Sequence, residues 1–184
     1  MENNFILRPW RLSDAASLAR YANDPDVSLN LRDRFPYPYA LSDAETYIRD
    51  CIAKEETQLC RAIVIDGEAA GSVGVFPRSD IYRRTAELGD WLAKPFWGRG
   101  IMTAAVAEIC REGFRRFDIV RIDAEINARN TGSRRVVEKN GFTLEGVLRR
   151  NVYKRGEILD SCMYSLLREE VNLCRTVCMS GKWR

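Results

Sequence analysis

Apolar residues in the first half of the chain fall into short runs that predict four strands. The first covers residues 5–8 and ends at Pro9. The other three cover residues 59–65, 70–76 and 85–92, and the last of them alternates in character. Asp66-Gly67 forms a tight turn between the second and third strands, so these two should pair as a hairpin.

Polar residues with capping chemistry mark two helices in the same half. Ser13 is a candidate cap for a helix that runs to about Asn23 and is stopped by Asp24-Pro25. A capping box over residues 42–45 predicts a second helix to about Lys54. The aromatic and proline residues at 31–39 predict a loop that covers another part of the molecule.

The second half alternates helices with strands. Gly98 and Gly100 open a long helix with apolar periodicity over about residues 101–117, followed by a strand at 120–127. A short helix over residues 130–139 ends at Asn140-Gly141. Residues 142–153 and 157–167 form a closing hairpin, and a polar tail follows, for which a helix is one interpretation.

This order of elements predicts an α/β protein of the mixed, α+β kind, with one sheet and helices on both faces. Nothing resembling a linker, a repeat or a low-complexity segment divides the sequence. We therefore expect a single domain over residues 1–184, with a C-terminal tail from about residue 168.

Composition limits which binding partners and which cellular compartment are expected. The 184 residues carry a net charge of +3, too weak to indicate nucleic acid or a membrane surface as a direct partner. Apolar runs stay far short of the roughly 20 residues that span a bilayer, and the acidic start of the chain does not resemble a secretory signal. The six cysteines form no CxxC pair and favour reduced thiols in the cytoplasm.

The chain contains no histidine. This excludes Ser-His-Asp and Cys-His hydrolases and disfavours the common zinc enzymes, so no metal is expected. Any general base must be Asp, Glu, Tyr, Lys, Cys or water.

The stretch around Gly98 and Gly100 is a candidate phosphate site. Glycine lets backbone amides approach a ligand closely, and the free N–H groups and dipole of a helix start favour an anion. Arg99 adds a cation. The alternative is a tight strand-to-helix connection with no ligand. Walker A and Rossmann patterns are both absent. The residues of this candidate site are Trp97, Gly98, Arg99, Gly100, Ile101 and Met102.

The sequence resembles the GNAT superfamily of N-acetyltransferases, in particular its RimJ/RimL-like branch that acetylates ribosomal-protein N-termini. The resemblance spans residues 7–164, with Pro95 standing where the family often has Arg or Gln. It is carried by Ala86-Glu87-Leu88-Gly89-Asp90-Trp91-Leu92, by Trp97-Gly98-Arg99-Gly100 with Ala104-Ala105, and by residues 127–133 with Glu138-Lys139-Asn140-Gly141-Phe142.

The resemblance implies a mostly antiparallel sheet of about seven strands that splays at an acetyl-CoA cleft. The glycine turn would bind the CoA pyrophosphate, and a bulge near residues 88–92 would free backbone groups for the pantetheine arm. An N–H near Trp91 or Leu92 would stabilise the thioester oxyanion, although Trp91 could equally be core. Asn127 and Asn130 would contact the pantetheine, with simple N-capping as the alternative for Asn130.

Glu87 is the candidate base for the acceptor amine, acting directly or through water, and Asp90 is a weaker candidate. Glu87 could instead only bind the acceptor ammonium. Val137 occupies the position where many relatives carry a Tyr acid. Ser133, as in the Rim branch, would then donate to the leaving thiolate, unless it only bonds the local backbone.

The acceptor side is less determined. Phe35, Tyr37 and Tyr39 could line the amine pocket with Glu87, or belong to a surface loop. Arg134, Arg135 and Lys139 could meet the CoA 3′-phosphate, although a solvated helix face is the favoured interpretation.

The predicted activity is transfer of acetyl from acetyl-CoA to a primary amine, either a protein N-terminus or a small amine such as a polyamine or antibiotic. A longer acyl donor and a CoA-binding sensor without turnover remain alternatives. The protein is expected to be a monomer or a homodimer.

Overall fold

The computed structural model describes residues 5–171. They form one seven-stranded sheet in the order β1-β2-β3-β4-β5-β7-β6, with every neighbouring pair antiparallel except β4 and β5. The strands are β1 (Phe5–Arg8), β2 (Leu59–Ile65), β3 (Glu68–Pro77), β4 (Thr85–Leu92), β5 (Arg121–Asn127), β6 (Thr143–Lys154) and β7 (Glu157–Leu167). The predicted mixed sheet is confirmed.

The helices lie on both faces of the sheet, as predicted. They are α1 (Ala15–Ala22), α2 (Pro25–Leu29), α3 (Leu41–Ala53), α4 (Ile101–Arg116) and α5 (Thr131–Lys139). None of the helices in residues 5–171 combines the length and the apolar character needed to cross a membrane. The predicted C-terminal tail falls mostly outside the described residues.

A hydrophobic core lies on each face of the sheet. The first lies under α4 and α5 and includes Leu88 and Leu92 of β4 together with Ile109 and Val137 from the helices. The second lies under α1 to α3 and includes Trp91. Side chains of β4 thus alternate between the cores, as expected for a strand buried on both faces.

The N-terminal capping predictions were displaced by a few residues. The turn Leu12–Asp14 precedes α1, which begins at Ala15 and not behind a Ser13 cap. In that turn the Asp14 carboxylate accepts from the Arg11 N–H at 2.9 Å and from Arg8 in two bonds of 2.7 and 2.8 Å.

Helix α3 begins one residue before the predicted capping box. Its cap is Ala40, whose N–H donates to the Asp43 carboxylate at 2.8 Å. Ser42 therefore lies inside the first turn. Only the carboxylate half of the predicted box is present, supplied by Asp43 instead of Glu45, because Ala40 has no side-chain acceptor.

The four described cysteines are free thiols, as predicted: Cys51, Cys60, Cys110 and Cys162. The cysteines at 174 and 178 lie outside the described residues.

Candidate active site

The sheet opens between β4 and β5. These parallel strands pair only at Thr85–Arg121, Ala86–Ile122 and Glu87–Asp123, and the residues that follow in each strand have no partner across the opening. The splay implied by the resemblance is therefore present. The implied bulge is not, because β4 pairs with β3 without a register shift from Ala86 to Leu92. The opening arises where parallel pairing stops.

Backbone hydrogen bonds show which side of β4 faces this opening. The Thr85 carbonyl accepts from the N–H of Arg78, beside β3, at 3.0 Å, whereas the Arg84 carbonyl accepts from the N–H of Val120, beside β5, at 2.8 Å. Successive residues of a strand direct their polar backbone groups to opposite sides. Even-numbered residues of β4 therefore face the opening.

The Leu88 carbonyl and the N–H and C=O groups of Asp90 and Leu92 accordingly point into the opening, whereas the Leu88 N–H belongs to the last rung of the ladder, toward Asp123. The Leu92 carbonyl is already used, since it accepts from Trp97 Nε1 at 2.6 Å, but its N–H remains directed at the opening. Trp91 faces β3 with its backbone and packs its side chain into the second core, 5.6 Å from the Phe35 ring centroid. Of the two predicted oxyanion donors, Leu92 directs its N–H into the opening, whereas Trp91 directs its backbone toward β3 and is a core residue.

The turn after β4 has the geometry that an anion site needs. Gly98 and Gly100 have φ of +73° and +78°, in the left-handed region that favours glycine. A side-chain carbon on Gly98 would meet nothing within 4 Å, so there is space beside the turn. The N–H groups of Ile101, Met102 and Thr103 have no acceptor among the described residues, and the first bond of α4 runs from Ala104 to Gly100 at 3.1 Å.

These features fit a pyrophosphate. Free N–H groups at the positive end of a 16-residue helix, next to an exposed Arg99, provide donors and charge for an anion. Arg99 lies over the Phe96 ring at 5.4 Å. Trp97 is exposed and closes the turn through its bond to Leu92.

On the other side of the opening, Asn130 caps α5. Its Oδ1 accepts from the Ser133 N–H at 3.1 Å, so the capping role is present, and its Nδ2 makes no bond to a described residue. Asn127 uses both of its oxygens in the turn, toward Asn130 N–H at 2.8 Å and Arg129 N–H at 3.0 Å. Ser133 is half-buried, and its hydroxyl bonds to nothing in residues 5–171.

Helix α5 also carries the three basic residues that were considered for contact with the CoA 3′-phosphate. Arg134 donates to the Tyr164 hydroxyl at 3.0 Å and to the Ala128 carbonyl at 3.3 Å, so it is a structural residue. Arg135 and Lys139 are exposed, as a solvated helix face requires. Val137 is fully buried in the first core.

Glu87 lies on the opposite face of β4 from α4, at the point where the strands separate. Its carboxylate forms an ion pair with Arg32 of the 31–39 loop. About a quarter of the Glu87 side chain is exposed, 26%. Sequence reasoning missed Arg32, because nothing in a loop rich in aromatics and prolines marks one arginine among its neighbours.

The 31–39 loop is fixed from two directions. The buried Lys154, at the end of β6, donates to the Leu31 carbonyl and to Asp33 Oδ1, each at 2.7 Å. Phe35 stacks against Tyr39 with ring centroids 4.7 Å apart and edge-on to Trp91. Phe35 therefore packs at the edge of the second core, against β4, whereas Tyr39 is buried within that core.

Tyr37 differs from its aromatic neighbours in being exposed, and Arg155 lies over its ring at 5.4 Å. The loop thus covers the molecule as predicted, but its aromatic residues divide between core and surface.

Ion pairs line the sheet face next to Glu87. Arg78 binds Asp123 through two bonds of 2.9 and 2.8 Å, and Arg121 binds Glu145 through two bonds of 2.6 Å. Burial raises the pKa of Asp123, although Arg78 and Arg121 act in the opposite direction. Charge on this face is therefore largely compensated.

Asp90 points to α4 and not toward an acceptor. Burial raises the pKa of Asp90 to about 6, and its carboxylate has no hydrogen bond to a described residue. Its place on the α4 face of β4 makes it unsuited to the weaker base role suggested for it. Residues 5–171 also contain no group of three or more Cys, Asp or Glu side chains arranged to hold a metal ion.

Comparison with known proteins agrees with this geometry. Residues 4–143 match the family model described as the acetyltransferase (GNAT) domain. The N-acetyltransferase p20 of Bacillus licheniformis is 30% identical over 167 residues, which cover 89% of this chain and 93% of that protein.

Two further proteins bear on the ligands. A solved structure of RimL, a ribosomal L7/L12 alpha-N-protein acetyltransferase in complex with coenzyme A, superposes with a TM-score of 0.80 at 25% identity, covering 90% of this chain and 95% of that one. Spermidine N(1)-acetyltransferase of Escherichia coli is 23% identical over 151 residues, or 82% of this chain and 79% of that protein.

Proposed function

Since the chain belongs to the acetyltransferase (GNAT) domain family, and so is an N-acetyltransferase that uses acetyl-CoA, we propose that it acetylates the N-terminal amine of a protein. The observation that carries the proposal is the opening between β4 and β5. One end of this opening lies at the start of α4. On the face of the sheet that carries α1 to α3, the opening borders a polar surface that these helices leave uncovered.

Acetyl-CoA would bind along the opening. The pyrophosphate would accept hydrogen bonds from the N–H groups of residues 101–103 and meet Arg99. The pantetheine arm would pair with the Leu88 carbonyl, the Asp90 backbone and the Leu92 N–H, as a peptide adds to a strand, and with Asn130 Nδ2. This arrangement delivers the thioester to the place where β4 and β5 part.

Three groups would assist the direct attack of the amine on the thioester: an oxyanion donor, a general base and a proton donor to sulfur. A backbone N–H of β4 close to the point where the strands part would stabilise negative charge as it develops on the thioester oxygen. The Leu92 N–H lies about 16 Å along β4 from Glu87 and would instead contact the pantetheine arm. Glu87 would accept the amine proton directly or through a water molecule. The Ser133 hydroxyl would donate to the leaving sulfur, which needs only modest help because a thiol has a pKa of roughly 8.5.

The form of the acceptor side supports a polypeptide end. The polar face over β5, β7 and β6 is not covered by any described helix, and an open surface accommodates a chain terminus better than it encloses a small amine. The likeness to RimL, named for the N-terminus of a ribosomal protein, points the same way.

A small amine is the second candidate, because a spermidine acetyltransferase is among the relatives. The two are separated by an acceptor screen with peptides that carry free N-termini, with spermidine and with aminoglycosides, following release of the CoA thiol. Turnover with peptides and not with small amines is expected, and the reverse would overturn the peptide assignment. CoA binding without turnover on any amine would contradict the proposed function. A cytoplasmic location is part of the proposal, supported by the free thiols.

The first prediction concerns Glu87→Gln, which removes the base but keeps the size of the side chain. We expect kcat to fall by about 10²- to 10⁴-fold, the range for loss of a general base, while calorimetry shows unchanged CoA affinity. Glu56→Gln, at an exposed acid in the turn between α3 and β2, should leave both quantities unaltered. An unchanged kcat in the Glu87 variant would exclude it as the base.

A further inference from the structure

Glu125 lies on the wall of the opening beyond the last pairing of β5 with β4. Asp123 is the last residue of β5 that pairs with β4, opposite Glu87. Glu125 follows on the same face, about 6.6 Å farther along the strand. Its side chain is exposed at a level where β4 has already separated. It therefore stands beside the place where thioester and amine would meet.

Two side chains hold this carboxylate in one position. Ser161 Oγ donates to Glu125 Oε1 at 2.7 Å, and Asn151 Nδ2 donates to the same oxygen and to Ser161 Oγ, the latter at 2.9 Å. Ser161 is buried. Both donors contact Oε1, so Oε2 is left free for a ligand.

An irregularity in β6 places Asn151 there. Leu148 pairs with Ser161 and Val152 pairs with Leu159, so residues 149–151 stand opposite a single residue of β7. That residue, Asp160, accepts the backbone N–H of Arg150 at 2.8 Å and fixes the distortion. Such irregularities redirect side chains near active sites, and this one supplies a donor to Glu125.

Glu125 differs from its acidic neighbours in its ion pairing. Glu87 is paired with Arg32, and Asp123 is paired with Arg78. Glu125 forms no ion pair with any residue in the range 5–171. A cationic ligand that enters the opening thus meets one uncompensated carboxylate whose geometry is already set.

We propose that Glu125, oriented by Asn151 and Ser161, binds the ammonium form of the acceptor and thereby selects primary amines. This role deepens the proposed function and rests on it. It divides the work between two carboxylates, with Glu125 binding the ammonium and Glu87 removing its proton. Asn151 and Ser161 are positioning residues, since they act through Glu125.

The test measures how strongly the protein distinguishes an amine from its uncharged analogue. Calorimetry in the presence of CoA, which prevents turnover, gives the Kd of a peptide with a free N-terminal serine, of its des-amino analogue, and of spermidine. A charge-assisted hydrogen bond corresponds to about a 10- to 100-fold preference for the amine. Glu125→Gln should abolish this preference by weakening amine binding alone, because glutamine keeps the acceptor for Asn151 and Ser161.

Controls separate the proposed role from a general effect. Glu56→Gln should retain the full preference, and Ser161→Ala should reduce it partly. In steady-state kinetics Glu125→Gln should raise the acceptor KM with kcat nearly unchanged, unlike Glu87→Gln. Preserved discrimination in Glu125→Gln, or equal weakening of amine and analogue, would overturn the inference. Absence of turnover in the wild type would count against the proposed function instead, since the binding measurement does not depend on it.

Discussion

At the scale of single residues, the glycine turn is defined by backbone conformation and not by contacts. Gly98 has a positive φ and open space where a side chain would project. A substitution there is therefore strained for conformational reasons alone. Gly67, in the hairpin turn between β2 and β3, has the same combination with φ of +84° but belongs to a turn that does not begin a helix.

This pair gives a matched test of the phosphate site. Gly98→Ala should lower stability by about 1–2 kcal/mol, the cost of a left-handed alanine, and should also weaken CoA binding by displacing N–H donors. Gly67→Ala should carry a similar stability cost with unchanged CoA affinity. Thermal unfolding and calorimetric titration of CoA measure the two effects, and equal CoA affinity in both variants would contradict the assignment.

The residue scale also shows where sequence reasoning ends. Gly98, Gly100 and Asn130 were identified because their chemistry depends on adjacent residues in the chain. Glu125 was missed because Asn151 and Ser161, which give it meaning, lie in two other strands. A missing ion pair is a property of the folded structure, so no local sequence pattern could identify Glu125.

At the scale of secondary-structure elements, the accuracy of prediction follows how local each signal is. Strands β2 and β4 begin and end as predicted, since apolar runs and a tight turn define them. Helix α2 (Pro25–Leu29) was missed. Asp24-Pro25 was taken only as a stop signal, whereas Asp24 also caps the next helix by accepting from the N–H of Asp26 at 2.8 Å.

The 31–39 loop is an element that is held in part by one side chain distant in the sequence, that of Lys154. Lys154→Met keeps the length of the side chain but removes the donors to Leu31 and Asp33. We expect the acceptor KM to rise by about tenfold, because charge-assisted bonds that order the loop are lost, with CoA affinity unchanged. Trypsin should also cleave faster after Arg32 and Arg34. Lys54→Met, at the end of α3, serves as the control, and equal cleavage rates in the two variants would disprove the role of Lys154.

At the scale of the whole molecule, the fold tolerates a poorly solvated carboxyl group between the sheet and α4. The pKa of Asp90 rises from 3.8 to about 6 on folding. A folded-state pKa above the unfolded value means that the native state binds more protons between these limits, so stability falls as pH rises from about 4 to 6. Above this range the ionised group is a constant destabilising contribution.

Asp90→Asn should remove that contribution. The free energy of unfolding should increase by roughly 2–3 kcal/mol at pH 7 and stay nearly the same at pH 4, measured by urea unfolding at both pH values. Asp118→Asn, at an exposed site, should change stability by no more than about 0.5 kcal/mol. Equal gains at pH 4 and pH 7 would show that desolvation of Asp90 is not the cause.

Only three residue pairs tie β4 to β5. A ligand that spans the opening would therefore replace the missing backbone hydrogen bonds between the two parts of the sheet. Glu125 is already held by Asn151 and Ser161, but the space between its strand and β4 would be filled only after this ligand has bound. The architecture thus implies an order of addition, in which acetyl-CoA enters first and the amine meets a finished surface.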